Sequence, residues 1–414
     1  MTTTLPAPQQ ADPGADPTVD PAADPARPPW RDPKRHLWPL GVALPLLPLV
    51  AWGLVSATGV PAFWWFGPLF VFGLLPLLDA VIGSDALNPP ENAVSALDAD
   101  RYYRRLTYAF IPMQYAGLAV TCWLWSRGGL SVVDKVGLAL TVGCVAGIAI
   151  NTAHELGHKR DDLERRLAKV ALAQTAYGHF YLEHDRGHHV RVATVEDPAS
   201  SRLGESFWAF LPRTVVGGLR SAWSIESGRW RKAGSSRWTW RNDVLNAWAL
   251  SVLLFGVLVA AFGPGILPYL AVQAVFGFSL LEVVNYLEHY GLLRQRAAAG
   301  RYERTRPAHS WNSNNTASNV LLYHLQRHSD HHANPLRRYQ TLRHMDEAPQ
   351  LPTGYSGMML MAVLPPVWRR VMDPRLLAHY GGDVTRANIA PRQRERILRR
   401  YGTGDNRVQD QPAA

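Results

Sequence analysis

Cysteine is nearly absent: Cys122 and Cys144 are the only two in 414 residues, and both sit inside apolar stretches without CxxC spacing. That spacing excludes a disulfide framework and a cysteine-ligated zinc or iron–sulfur site, so an electron carrier of that kind is expected on a separate molecule. Residues 1 to about 34 lack any long apolar run and are rich in Pro, Ala and Asp. They do not resemble a secretory signal, which needs an apolar stretch after a basic start, and are expected to form a disordered leader. No internal repeat is visible. Charge is sparse or missing in several apolar runs, each long enough to cross about 30 Å of hydrocarbon at roughly 20 residues per helix.

Those runs lie near 37–58, 62–83, 107–126, 133–153, 246–263 and 265–287. They predict an all-α fold, a six-transmembrane-helix bundle in a domain over 35–385, followed by a basic tail at 386–414. Links of a few residues between the first two runs and between the last two force helical hairpins. The 43 Lys and Arg exceed the 33 Asp and Glu, for a formal charge of +10. Basic residues such as Arg101, Arg104 and Arg105, and many between 159 and 243, flank apolar runs. That distribution points to anionic lipid or an acidic protein rather than nucleic acid, and places both termini and the long loops in the cytoplasm. The apolar piece at 168–182 is too short to span and reads as a helix at the interface or dipping into the bundle.

Histidine is unevenly placed. Six of the 15 fall between His154 and His189, and a second group lies between His289 and His344. The first box is His154-Glu-Leu-Gly-His158, whose i, i+4 spacing on a helix projects both imidazoles from one face. The second, from Glu183 to His189, adds the i, i+4 pair His184 and His188 and the adjacent His189. The third contains His328, His331 and His332, and the stretch Asn285 to Gly291 adds His289. Nine candidate ligands exceed what one zinc needs, since a catalytic zinc takes about three protein ligands. They suit two metals of four or five nitrogens each, although imidazole alone leaves zinc, copper, iron and nickel open. The topology brings all nine to one cytoplasmic side, as a histidine-rich catalytic cap. His36, His309, His344 and His379 lack paired spacing and read as solvated or structural, and His179 and His324 as packing or outer residues.

Acids near the boxes are expected to orient ligands, because a metal-bound imidazole usually donates its other N–H to a carboxylate or carbonyl. Glu155, Glu183, Glu288 and Asp330 are adjacent in sequence, and Asp79 and Asp197 are further candidates. Trp65, Phe66, Phe70, Val71 and Phe72 on the second run are candidate walls for an apolar channel, or else an aromatic belt. Arg327, Arg337 and Arg338 beside the third box could dock an acidic partner or anchor lipid.

At NTAHELGHK, EHDRGHH, NYLEHYG and LQRHSDHHANPLRRYQ the sequence resembles the membrane-bound alkane 1-monooxygenases, within the histidine-box hydroxylases and desaturases. WNSN at 311–314 and LPTGY at 351–355 extend the likeness over about 37–385, and Asp185 departs from the Asn that many relatives carry. The resemblance implies two non-haem iron ions without haem or flavin, in a multi-pass protein of the bacterial inner membrane. It also implies terminal hydroxylation of a linear alkane with O2, using two electrons from a separate rubredoxin served by a NAD(P)H-dependent rubredoxin reductase. No rubredoxin-like domain with paired CxxC motifs follows the core.

Three other readings share parts of this pattern: a fatty-acyl or lipid desaturase or other histidine-box hydroxylase, an intramembrane zinc metalloprotease using HELGH with Glu155 as base, and a metal carrier. Replacing His328 or His331 with Ala separates the protease reading from the rest. Metal content measured on purified protein falls if the third box ligates and stays unchanged if only the first does.

Overall fold

The computed structural model describes residues 30–297 and 300–402. Most of the expected leader, and the expected tail from 403 onward, lie outside the described residues. Within them the fold is all-helical, with isolated bridges and no β-sheet. Five helices are long and apolar enough to cross a membrane: Pro39–Thr58, Pro61–Ile82, Val132–Gly157, Asp243–Phe262 and Pro264–His289. They make this a multi-pass membrane protein. The run expected near 107–126 lies in the 26-residue helix Arg101–Ser126, which is not among the five because Tyr, Trp and Gln dilute its apolar residues.

The two hairpins have local causes. Gly59 takes the left-handed conformation at φ +70° and its N–H reaches Val55 O at 2.8 Å, closing the first helix before Pro61 opens the second. Gly263 at φ +82° and Pro264 repeat the device. Glycine accepts positive φ without a Cβ penalty, and proline is preset for a helix start, where its missing N–H costs nothing.

Val132–Gly157 is the central helix: 83% of its apolar window is buried, against 22% for Pro61–Ile82 and for Asp243–Phe262. Ser131 and Asp134 start it with a reciprocal capping box. Along its length it packs on Pro264–His289, and its glycines set the distance. A Cβ at Gly143 would come within 2.8 Å of the Phe276 ring, and one at Gly147 within 3.0 Å of Leu280. Small residues let two helices approach in this way. The close approach brings His154 and His158, at one helix end, level with His289 at the other.

The apolar piece expected at an interface or inside the bundle takes the second course. Helix Asp162–Ala173 buries Ala168, Ala171 and Leu172 against Ile150, Ala153 and Leu156. Packing also runs past the boundary expected at 385, since Ile389 and Ile397 join the cluster of Tyr286, Trp368 and Leu376.

Short helices Thr316–Leu321, His328–Ala333 and Tyr355–Ala362 form the cap over the bundle. Asp79, at the end of Pro61–Ile82, accepts from Ser318 N at 2.9 Å and Ser318 Oγ at 2.5 Å, tying span to cap. Arg327 is buried and donates to the carbonyls of Leu342, Asp85 and Leu87 at 2.7, 3.0 and 3.1 Å. Burial lowers its pKa to about 10, against the pull of Asp85 and Asp330. An Arg327→Met variant leaves those carbonyls without their donor and is expected to cost about 3 kcal/mol. Thermal unfolding in detergent measures this; an unchanged midpoint would show that the cap holds without the clamp.

Candidate metal centre

The nine histidines of the boxes converge as two groups. His154, His158, His184, His189 and His331 form one, and His188, His289, His328 and His332 the other; within each group the ligand nitrogens lie within 4.8 Å of one another. In the first, His154 Nε2 and His331 Nε2 are 2.8 Å apart, and His189 Nε2 lies 3.1 Å from His184 Nε2 and 3.0 Å from His331 Nε2. In the second, His328 Nε2 is 3.2 Å from His289 Nε2 and 2.9 Å from His332 Nε2. The Nδ1 atoms of His158, His188 and His289 face outward, to Asp185 at 3.4 Å, Asp197 at 2.9 Å and the His309 carbonyl at 3.4 Å. Their Nε2 atoms therefore face inward, and those of His158 and His188 are buried without a hydrogen-bond partner.

This donor set fits metal ions on three counts. A ring nitrogen carries at most one hydrogen, so nitrogens meeting in threes cannot all be satisfied by hydrogen bonds among themselves, whereas a cation accepts every lone pair. Nitrogens about 2.1 Å from a metal lie about 3.0 Å apart at right angles and about 3.4 Å apart in a tetrahedron. The shortest observed separations, 2.8 to 3.2 Å, are those of donors that share one metal. Burial also pushes the pKa values of His158, His184, His189, His328, His331 and His332 well below the ordinary imidazole value, leaving them in the neutral, ligating form.

Local structure decides which ring joins which group. The first box keeps regular α geometry, so His154 and His158 stay together. The second does not follow the expected i, i+4 pairing. Residues His184–His188 form a single π-helical turn, whose i→i+5 register brings His184 beside His189 and turns His188 to the other group. In the third box His328 and His332 keep the i, i+4 relation, and His331 between them crosses to the first group.

Of the acids expected to orient ligands, Asp197 and Glu288 reach a ring nitrogen. Asp197 takes His188 Nδ1 and Ser200 Oγ at 2.6 Å. Burial opposes its ionisation, but His188 and the Ser200 hydroxyl outweigh this and hold its pKa below the ordinary carboxylate value. Glu288 Oε2 is 3.2 Å from His328 Nε2, and its other oxygen accepts from Tyr355 OH at 2.8 Å. The remaining four hold the scaffold: Glu155 pairs with Lys159 at 3.1 Å, Glu183 with Arg191 at 3.0 Å, Asp330 with Arg337 at 3.1 Å, and Asp79 with Ser318. The Lys159 pair occupies the residue a zinc protease would use as base. Asp185, set apart in the sequence as a departure, touches His158.

An apolar pocket with a cavity volume of about 50 Å³ adjoins the centre, lined by Leu44, Phe70, Val71, Cys144, Ile148, Asn151, Leu280, Val284 and Leu325 among others. Asn151 precedes His154 by three residues, Val284 precedes His289 by five, and Leu325 precedes His328 by three. Of the five residues expected as a channel wall, Phe70 and Val71 line this pocket. Trp65 packs on Gly137, while Phe66 and Phe72 pack into the adjoining cores and do not themselves line the pocket. Asn151, whose Nδ2 donates to Leu322 O at 2.7 Å, was missed in the sequence, although an amide one turn before a ligand in an apolar span is a usable signal. Of the arginines expected to dock a partner, Arg327 is buried, which removes it from any such surface. Arg337 pairs with Asp330 and Glu91, and Arg338 with Glu164.

Residues 135–362 match the family model described as fatty acid desaturase. An alkane 1-monooxygenase of Acinetobacter baylyi is 47% identical to this chain over 380 residues, covering 91% of it and 93% of that protein. One from Ectopseudomonas oleovorans is 46% identical, with 89% and 92% covered. The hydroxylase component of a xylene/toluene monooxygenase of Pseudomonas putida is 25% identical, with 76% and 84% covered.

Asp197→Asn removes the charge behind His188 and is expected to weaken metal binding by about 10- to 100-fold. Glu183→Gln, which touches no ring nitrogen, is expected to weaken it far less. Metal titration of the two variants checks the difference, and equal losses would contradict the assigned contacts.

Proposed function

We infer the reaction from family and geometry together: the chain belongs to the alkane 1-monooxygenases, and we propose that it hydroxylates the terminal methyl group of linear alkanes with two resident iron ions. The observation that carries this is an apolar pocket, lined by Asn151 one turn before His154, beside two groups of converging imidazoles. The overall change is alkane, O2, two electrons and two protons giving 1-alkanol and water. A primary C–H bond offers no polar handle, and the iron, when bound, supplies the O2-derived oxidant strong enough to break it.

The protein's own part is binding and exclusion. His154, His158, His184, His189 and His331 hold one ion, and His188, His289, His328 and His332 the other. Asp197 keeps the Nδ1 proton of His188 outward, so that Nε2 presents its lone pair. Phe70, Val71, Ile148 and Leu280 enclose the chain and keep water from it. The alkane reaches them from the lipid, with its methyl end toward Asn151 and Val284.

With Arg101–Ser126 counted as a sixth crossing, both termini and the cap lie on the cytoplasmic side of a bacterial inner membrane, a reading that the arginine-rich loops support. A separate rubredoxin, recharged by a NAD(P)H-dependent reductase, delivers electrons there. His189 is the ligand that keeps partial exposure, which supports the five-nitrogen group as the side nearer the donor. Arg337 and Arg338 remain on the cap surface for docking, screened by their acidic partners.

The test supplies purified, iron-loaded protein with reduced rubredoxin, O2 and either octane or a fatty-acyl substrate, with products resolved by gas chromatography. 1-Octanol is expected; an unsaturated acyl product without alcohol would make the protein a desaturase. Cys144 lines the cavity ten residues before His154, about 15 Å along the helix. Cys144→Phe is therefore expected to shorten the longest alkane accepted, while Phe72→Trp, outside the cavity, leaves the product range unchanged. The reverse pattern would misplace the channel.

A further inference from the structure

Arg231 and Arg237 share an open pocket with Trp223, Ser224, Ser227 and Ser235, beside the start of the span Asp243–Phe262. We propose that this pocket binds the phosphate of an anionic phospholipid, whose acyl chains run along that span.

Residues 229–241 contain Arg229, Arg231, Lys232, Arg237 and Arg241 and no acid. Helix Phe207–Lys232 ends among them, and its end is closed by backbone alone. Gly234 takes φ +66°, and the N–H groups of Gly234 and Ser235 donate to the carbonyls of Arg231 and Trp230 at 3.0 and 2.9 Å. The arginine side chains are therefore not spent on capping. Arg229 pairs with Glu226 and Asp243, but among the described residues neither Arg231 nor Arg237 meets a carboxylate. Ser227 Oγ is buried without a hydrogen-bond partner. Two unpaired cations and an unsatisfied hydroxyl on one pocket call for an anion with several acceptor oxygens, which is what a phosphate offers.

The pocket has a volume of about 610 Å³, enough for a headgroup. Arg237 is steadied by two indoles: its guanidinium carbon lies 6.0 Å from the Trp223 ring and 5.7 Å from the Trp238 ring, and the two rings are 5.1 Å apart. Ring faces position a guanidinium without consuming its N–H donors, so its fork stays open to a phosphate. The surroundings favour a lipid over a soluble anion. Trp223 and Trp248 pack against Ala222 and Val244, which joins the pocket wall to the first turns of the span. Trp238 and Trp240 are 67% and 79% exposed, and Val252, Leu253 and Val257 are exposed further along the same helix. Exposed indoles interleaved with arginines at the end of a span belong at the headgroup level, where anionic lipids gather against basic residues.

Native mass spectrometry of the full chain in detergent, titrated with phosphatidylglycerol or phosphatidylcholine, counts bound lipid independently of iron and turnover. Wild type is expected to retain phosphatidylglycerol in preference, and equal retention of the two lipids would overturn the proposal without any variant. The double variant Arg231→Gln, Arg237→Gln is expected to weaken phosphatidylglycerol binding by about 5-fold for each arginine removed. Arg101→Gln, Arg105→Gln removes the same charge from the start of helix Arg101–Ser126 and is expected to change binding little. Equal losses in the two double variants would mean attraction by net charge without a site, and would overturn the proposal. Excess inorganic phosphate is expected to leave the lipid in place, since the ion brings no acyl chains; displacement would make the pocket an ion site instead. Unchanged lipid binding with a raised KM for reduced rubredoxin in Arg231→Gln, Arg237→Gln would give this surface to an acidic protein and overturn the lipid assignment.

Discussion

Nine imidazole lone pairs pointed into a buried space are the constraint around which the rest of this protein is arranged. Each costs free energy unless something accepts it, and rings meeting through the same nitrogen cannot satisfy one another. Cations resolve the conflict, and every surrounding device holds the rings in place for them. Glycine contacts bring Val132–Gly157 and Pro264–His289 close enough to align their histidine-bearing ends. Asp79 and Arg327 fasten the cap that delivers His328, His331 and His332, and Asp197 fixes one ring by its outer nitrogen.

Much of this was legible in the sequence, because the causes are local. Apolar runs bounded by Gly59 and Pro61, or by Gly263 and Pro264, specify hairpins, and His-x3-His specifies one face of a helix. What could not be read was the register of the second box. An α-helix and a π turn use the same residues, yet they send His188 to opposite groups, and only packing against neighbouring elements selects between them. Adjacency in sequence also misled for the acids. Glu155, Glu183 and Asp330 stand beside ligands but turn to Lys159, Arg191 and Arg337, because neighbouring residues on a helix face different directions. Arg327 looked like a surface charge and is a buried clamp, since its partners are carbonyls of loops remote in sequence.

The site's chemistry follows from its asymmetry. One group includes the part-exposed His189. The other is enclosed beside Glu288 and Asp197. Beside them lies a pocket with scarcely a polar wall, broken by Asn151 at the metal end. Such a pocket cannot hold a hydrocarbon by hydrogen bonds; shape and exclusion of water do the binding, and the position of the terminal carbon is set by how far the chain slides before meeting the walls.

The most direct test couples metal count to chemistry. Protein prepared with graded iron, from none to saturation, is reduced and given 18O2 and octane in a single turnover. Labelled 1-octanol is expected to appear in proportion to chains carrying two irons, with one 18O atom per product. Full yield at one iron per chain, or from zinc-loaded protein, would contradict a centre in which both nitrogen groups must be filled.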